Sequence, residues 1–164
     1  MSDKLQQIIN KQSAKKEDTL NRGDDVVQLV GFIIGDEEYA IPILSIQEII
    51  KPFPWTRVPQ VPKYIVGVFN MRGAVIPLID LRLKFGLSPK KHNDETRFIV
   101  MRHGEDIAGF VIDRLTMAIR IKKSDIGPAP ETMSGDNTVI DGVGKQEDGI
   151  ITILKVNKLL ERDF

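Results

Sequence analysis

Residues Gly67-Val-Phe-Asn-Met-Arg-Gly-Ala-Val-Ile-Pro-Leu-Ile-Asp80 decide how this chain folds. They read as a strand, a turn at Met71-Arg72-Gly73, and a second strand. Val66, Val68, Val75, Ile76, Leu78 and Ile79 are β-branched or bulky and suit a pleated, buried surface. Gly73 admits the positive φ that a tight hairpin needs. Arg72 falls at the tip, where its charged head stays in water. Asp80 is placed to cap a short helical turn, Leu81 to Phe85, which Gly86 closes. Taken alone, the Asn70-x-Arg72-Gly73 tip is either an ordinary solvated turn or a binding feature.

Upstream, Val26–Ile34 reads as a strand, Gly35-Asp-Glu-Glu38 as a charged turn and Tyr39–Pro42 as the return strand. Ser45-Ile-Gln-Glu48 matches a capping box, and Ile46, Ile49 and Ile50 have helical spacing. A short helix is therefore expected there, stopped by Pro52 and Pro54. The prolines at 52, 54, 59 and 62 make a rigid extended connector. Trp55, the only tryptophan, is expected to cover the core, with an interface role as the alternative. Residues 1–25 are polar and expected to form a flexible tail, with Leu5, Ile8 and Ile9 too few to hold a helix alone. The folded domain is expected over 26–164.

Downstream, the polar loop Leu87–Glu95 marks a mid-chain break. Strands follow at Arg97–Arg102, Ile107–Ile112 and Leu115–Ile121, the first two joined by His103-Gly-Glu-Asp106. A proline connector and a polar loop, Glu131–Thr138, precede a last hairpin, Val139–Val143 with Gly149–Leu154. Val156, Leu159 and Leu160 define a closing helix. The halves echo one another. The charged glycine turns at Gly35 and Gly104 correspond, and Gly73–Leu81 resembles Gly149–Val156. Each of those runs leaves its strand directly into a short apolar helix. Many short strands with close turn signals point to a mainly β protein of two similar small barrels packed together, with a groove between them.

The 164 residues suffice to bury a core, and there is no cysteine to staple it or to supply thiolate ligands. Lys plus Arg and Asp plus Glu both number 23, so the basic excess of a typical nucleic-acid binder is missing. The start lacks a signal-peptide apolar core, and no apolar run is long enough for a membrane span. These features suit a cytoplasmic protein. His92 and His103 lack a nearby nucleophile or orienting acid. Gly142-Val-Gly144 begins a dinucleotide fingerprint, but Glu147 stands where its third glycine belongs. No phosphate loop and no zinc pair of histidines occurs. The expectation is a protein without enzymatic activity, cofactor or metal.

Gly35-Asp-Glu-Glu-Tyr39, Ile46-Gln-Glu-Ile49, Gly67-Val-x-Asn-x-Arg-Gly73 and Val75-Ile-Pro-Leu-Ile-Asp-Leu81 together resemble the CheW family of bacterial chemotaxis coupling proteins. The likeness continues at Ala108–Asp113, Gly127–Glu131 and Ile140–Gly144, and covers roughly Val26 to Leu160. It implies two SH3-like five-stranded barrels around a shared apolar seam. It further implies a non-catalytic adaptor joining the cytoplasmic tips of chemoreceptors to the regulatory domain of the histidine kinase CheA. By the same resemblance, receptor contacts involve Ile46, Glu48, Ile49, Asn70, Arg72, Gly73, Leu115 and Ala118, with Gly67 important for that region. The chain departs from the family in Met71, where leucine is common, and in a connector unusually rich in proline and aromatic residues. Two further classes stay open: the CheW-like part of a CheV-type regulator, and a small-barrel oligonucleotide-binding protein.

Overall fold

A computed structural model describes residues 25–129, 139–147 and 149–161. The expected tail, apart from Asp25, and the expected loop Glu131–Thr138 lie outside them. Among the described residues eleven strands build two sheets. They are β1 (Val26–Ile34), β2 (Glu37–Pro42), β3 (Ile46–Ile50), β4 (Ile65–Met71), β5 (Ala74–Asp80), β6 (Arg97–His103), β7 (Asp106–Ile112), β8 (Arg114–Lys122), β9 (Ile126–Gly127), β10 (Ile140–Gln146) and β11 (Gly149–Leu154). Two single-turn helices, α1 (Leu81–Lys84) and α2 (Val156–Leu159), follow β5 and β11. That is the strand-to-helix exit expected from the sequence.

The first sheet runs β8-β1-β2-β11-β10-β9 and the second β3-β6-β7-β5-β4. Their first five positions match in kind. Each has two antiparallel pairings, then a parallel one (β2 with β11, β7 with β5), then a final antiparallel hairpin. These are the two SH3-like barrels, but they do not divide the chain at its middle. Hairpin β1–β2 joins the C-terminal strands, and the Leu87–Glu95 loop lies within the second barrel, between α1 and β6. The expected mid-chain break is therefore a surface loop of one barrel, closed over by the parallel pairing of β5 with β7.

Burial explains the arrangement. Leu29, Ala40, Ile119, Ile121, Ile151 and Ile153 fill the first barrel. Phe69, Ile76, Leu78, Phe98, Val100 and Val111 fill the second. The largest cluster lies between them and draws on both sheets, including Phe32, Ile41, Ile99, Met101 and Phe110, with Val156 and Leu159 of α2. A fully buried side chain of this size contributes ~1.5–3 kcal/mol, so the seam holds the barrels as one body.

One polar clamp crosses that seam. Arg82 Nη1 on α1 donates to Asp113 Oδ2 at 2.6 Å, and the backbone N–H of Gly35 donates to the same oxygen at 2.8 Å. Arg82 Nε also donates to the Ser88 carbonyl at 2.9 Å. Both charged side chains are largely buried, at 18% and 10% exposed. Arg82→Ala is expected to destabilise the fold by ~2–3 kcal/mol, because it leaves Asp113 desolvated without its charged partner. Urea unfolding of the variant, compared with Arg82→Lys, measures this.

Candidate functional site

The hairpin tip forms as its residues require. Arg72 (φ 53°) and Gly73 (φ 83°) both take the left-handed conformation of a two-residue hairpin turn between Met71 and Ala74. Gly73 suits it without cost, whereas arginine adopts it only under strain. The Gly73 N–H donates to Asn70 Oδ1 at 3.2 Å, which fixes the turn. Arg72 Nη2 then reaches across to Glu48 Oε1 of β3 at 3.0 Å, with the arginine side chain 77% exposed and the glutamate 27%. Beneath this pair is a cleft of about 260 Å3 with Ile50, Phe53, Phe69 and Met71 as its apolar lining and Glu48, Asn70 and Arg72 at its rim.

Ser45–Ile50 corrects one expectation: the segment is a strand preceded by a single 3-10 turn, Ile43–Ser45. The apolar spacing has another cause. The β3–β6 register pairs Ile46 with Met101, Glu48 with Val100 and Ile49 with Ile99, so Gln47 is an extra, bulged residue. Its side-chain oxygen accepts from Arg102 Nε at 2.7 Å. The bulge lets Ile46 and Ile49, three apart, face the same seam, since their partners Met101 and Ile99 both belong to it. Glu48 turns to the other side with Val100, towards Arg72.

Strand β8 repeats the device. Leu115 pairs with Phe32 and Ala118 with Val30, with a register shift between them, and both partners lie in the seam cluster. Gly31 makes room: a Cβ there would lie 2.4 Å from Thr116 Oγ1. Since β8 and β3 hold equivalent edge positions, Leu115 and Ala118 are the counterparts of Ile46 and Ile49 in the other barrel. Ile46, Leu115 and Ala118 are half-buried, whereas Ile49 is 6% exposed and mainly a core residue.

Gly67 is buried, and its function is a close approach. The connector crosses it where Thr56 exchanges two backbone hydrogen bonds with Val68, each of 2.8 Å. A Cβ on Gly67 would stand 2.2 Å from the Thr56 carbonyl oxygen. Gly142 repeats this beneath Gly127 in the first barrel, at 2.7 Å. Trp55 lies edge-on over Phe98, 6.1 Å between centroids, and stays 41% exposed, so it rests on the second barrel's core and keeps one face open to solvent. Sequence reasoning did not single out Ile50, Phe53 and Met71 as cleft residues. Phe53, flanked by two prolines, was the available signal.

Asp80 caps α1 by accepting from the Arg82 N–H at 2.9 Å. Burial pushes its carboxyl above the usual carboxylate range, opposed by the hydrogen bonds from Arg82 and Leu83. A raised folded value favours the protonated form in the native state. The resulting stabilisation is full below the ordinary value near 3.8 and is lost as pH rises through the folded value. Asp80→Asn keeps an effective cap without the charge. It is expected to melt above the parent at pH 7, with the gap closing near pH 4; paired melting curves check this. Among the described residues no three His, Cys, Asp or Glu side chains gather as a metal site, and no helix is long and apolar enough to cross a membrane.

Paired barrels, a charged hairpin tip beside a small apolar cleft, and two bulged edge strands facing one seam define a two-barrel interaction module. A family model described as the CheW-like domain matches residues 28–164, and the chain belongs to that family. It is 54% identical to the chemotaxis protein CheW of Helicobacter pylori, over 100% of both chains. It is 35% identical to that of Bacillus subtilis, over 83% of this chain and 88% of the relative. The crystal structure of the scaffolding protein CheW from Thermoanaerobacter tengcongensis superposes with a TM-score of 0.77 at 30% identity, covering 84% of this chain and 94% of that one. A 30% likeness extends to CheV3 of Helicobacter pylori, of which this chain spans 47%.

Proposed function

We propose that this chain is a non-catalytic cytoplasmic adaptor of bacterial chemotaxis, coupling the tips of chemoreceptors to the regulatory domain of CheA. The observation that carries it is the Arg72–Glu48 pair at the rim of an apolar cleft. Ile50, Phe53, Phe69 and Met71 line that cleft, while the half-buried Ile46, Leu115 and Ala118 lie on the edge strands β3 and β8 and Ile49 beneath them belongs to the core. A helical hairpin can lay an apolar stripe against such a cleft, and the charged pair can set its register. Signalling then works by shifting populations of the kinase assembly, with no covalent step in this chain. Family membership supports the coupling role, and the higher identity to CheW than to CheV3 favours a CheW-type over a CheV-type reading.

Co-sedimentation of the purified protein with receptor cytoplasmic fragments and with CheA, separately and together, tests the proposal. Binding to each and a ternary complex are expected; failure to pellet with either partner overturns it. The same preparation is expected to show no saturable ATP binding and no phosphatase turnover. Turnover abolished by a single substitution in this chain would contradict the non-catalytic reading.

A further inference from the structure

We propose that the connector and the loop after α1 form a second docking surface, for an acidic peptide segment that carries apolar side chains. Phe53 and Trp55 are 47% and 41% exposed, yet each has ring contact with the barrel interior, Phe53 with Phe69 at 6.4 Å and Trp55 with Phe98 at 6.1 Å. Trp55 also meets His92 at 5.4 Å, which brings the 87–95 loop against the connector. Lys51, Arg57, Lys90 and Lys91 are exposed and lie within two residues of these rings. None of the four joins an ion pair among the described residues. The acids closest along the loop, Asp94 and Glu95, are outnumbered.

The surface is pre-formed. Prolines at 52, 54 and 59 restrict the backbone, and Thr56 is hydrogen-bonded to Val68 through both its N–H and its carbonyl. A ligand therefore pays little to order it. Half-exposed rings supply apolar contact, and the ring of cations supplies steering for a negatively charged partner. An acidic peptide suits this better than single-stranded nucleic acid. The chain as a whole is neutral, and two rings are a short platform for stacked bases. This surface shares Phe53 with the cleft at the hairpin tip, whereas Trp55 and the four cations lie outside the residues assigned to receptor contact, so the charge reversals below test it separately.

The sole tryptophan is the reporter. The full-length protein is titrated at low salt with a short synthetic peptide alternating Glu with Leu and Phe. A saturable change in Trp55 emission is expected, weakening about tenfold or more as salt is raised. The double variant Lys51→Glu/Arg57→Glu is expected to lose about tenfold or more in affinity with an unchanged melting temperature. Lys90→Glu/Lys91→Glu repeats the test on the other segment. The proposal is overturned by an equal response to the Lys-for-Glu peptide or by no saturable change. It is also overturned if oligothymidylate or phosphatidylglycerol vesicles bind more tightly than the peptide, or if both charge reversals leave affinity intact.

Discussion

Replacing Gly67 with alanine is expected to cost about 2–3 kcal/mol and to lift the connector from the second barrel. The added Cβ would meet the Thr56 carbonyl oxygen at 2.2 Å, the Thr56 carbonyl carbon at 2.8 Å and Trp55 Cδ1 at 2.9 Å. Two of these are backbone atoms, so no rotamer change relieves the clash. Strand β4 cannot yield easily, because it pairs with β5 from Ile65 to Met71 and buries Phe69. The connector must move, and the Thr56–Val68 hydrogen bonds break with it. Phe53 then leaves its place in the cleft beside Arg72, which links a buried glycine to the proposed receptor contact without any contact of its own. Thermal unfolding should show the loss, and Trp55 emission should move to the red as the ring leaves Phe98. Gly73→Ala is the control: a Cβ there meets nothing, and only the φ of 83° opposes it, at about 1 kcal/mol. Native-like melting and emission in Gly67→Ala would show that the connector does not depend on this approach.

The hairpin of residues 67–80 was legible because its signals are local. β-branched and bulky residues, a glycine in the turn and an aspartate before Leu81 all act within a few residues of one another, and the structure forms the strands, turn and helix as read, although Val75 next to the turn is 67% exposed rather than buried. The Ser45–Ile50 segment was misread for a physical reason. Apolar residues three apart mark a helix face, but an extra residue in a strand gives the same spacing, and only the register against β6 tells them apart. The capping-box pattern at Ser45 compounded the ambiguity. Strand sharing was not legible at all. β1 pairs with β8 and β2 with β11, contacts separated by most of the chain, and nothing within either hairpin specifies its distant partner. Gly67 could be flagged from its motif, yet its reason, the Thr56 crossing, depends on that same tertiary arrangement.

Arg72 separates stability from binding most sharply. Its φ of 53° is a conformation that asparagine tolerates better than arginine. Its ion pair with Glu48 joins a 77% exposed arginine to a 27% exposed glutamate and contributes ~0–1 kcal/mol. Arg72→Asn is therefore expected to melt at or above the parent temperature, since the turn keeps its geometry and loses its strained residue. Arg72→Glu should also fold, though the new carboxylate faces Glu48 and lowers stability by up to ~1 kcal/mol. Receptor binding, unlike stability, should fall in both variants. The guanidinium bonds Glu48 through Nη2, and its remaining donors can take a receptor carboxylate or carbonyl at the rim of the cleft. Asparagine is too short to reach that far. Glutamate removes the donors and adds repulsion, so a loss of ~2–5 kcal/mol is expected, larger than for asparagine. CheA binding should survive both changes if the kinase uses other barrel surfaces. The measurement pairs melting curves with separate pull-downs on receptor tip and CheA. Receptor binding that persists in Arg72→Glu would remove this tip from the site, and a collapsed Arg72→Asn would show that the arginine holds the hairpin together.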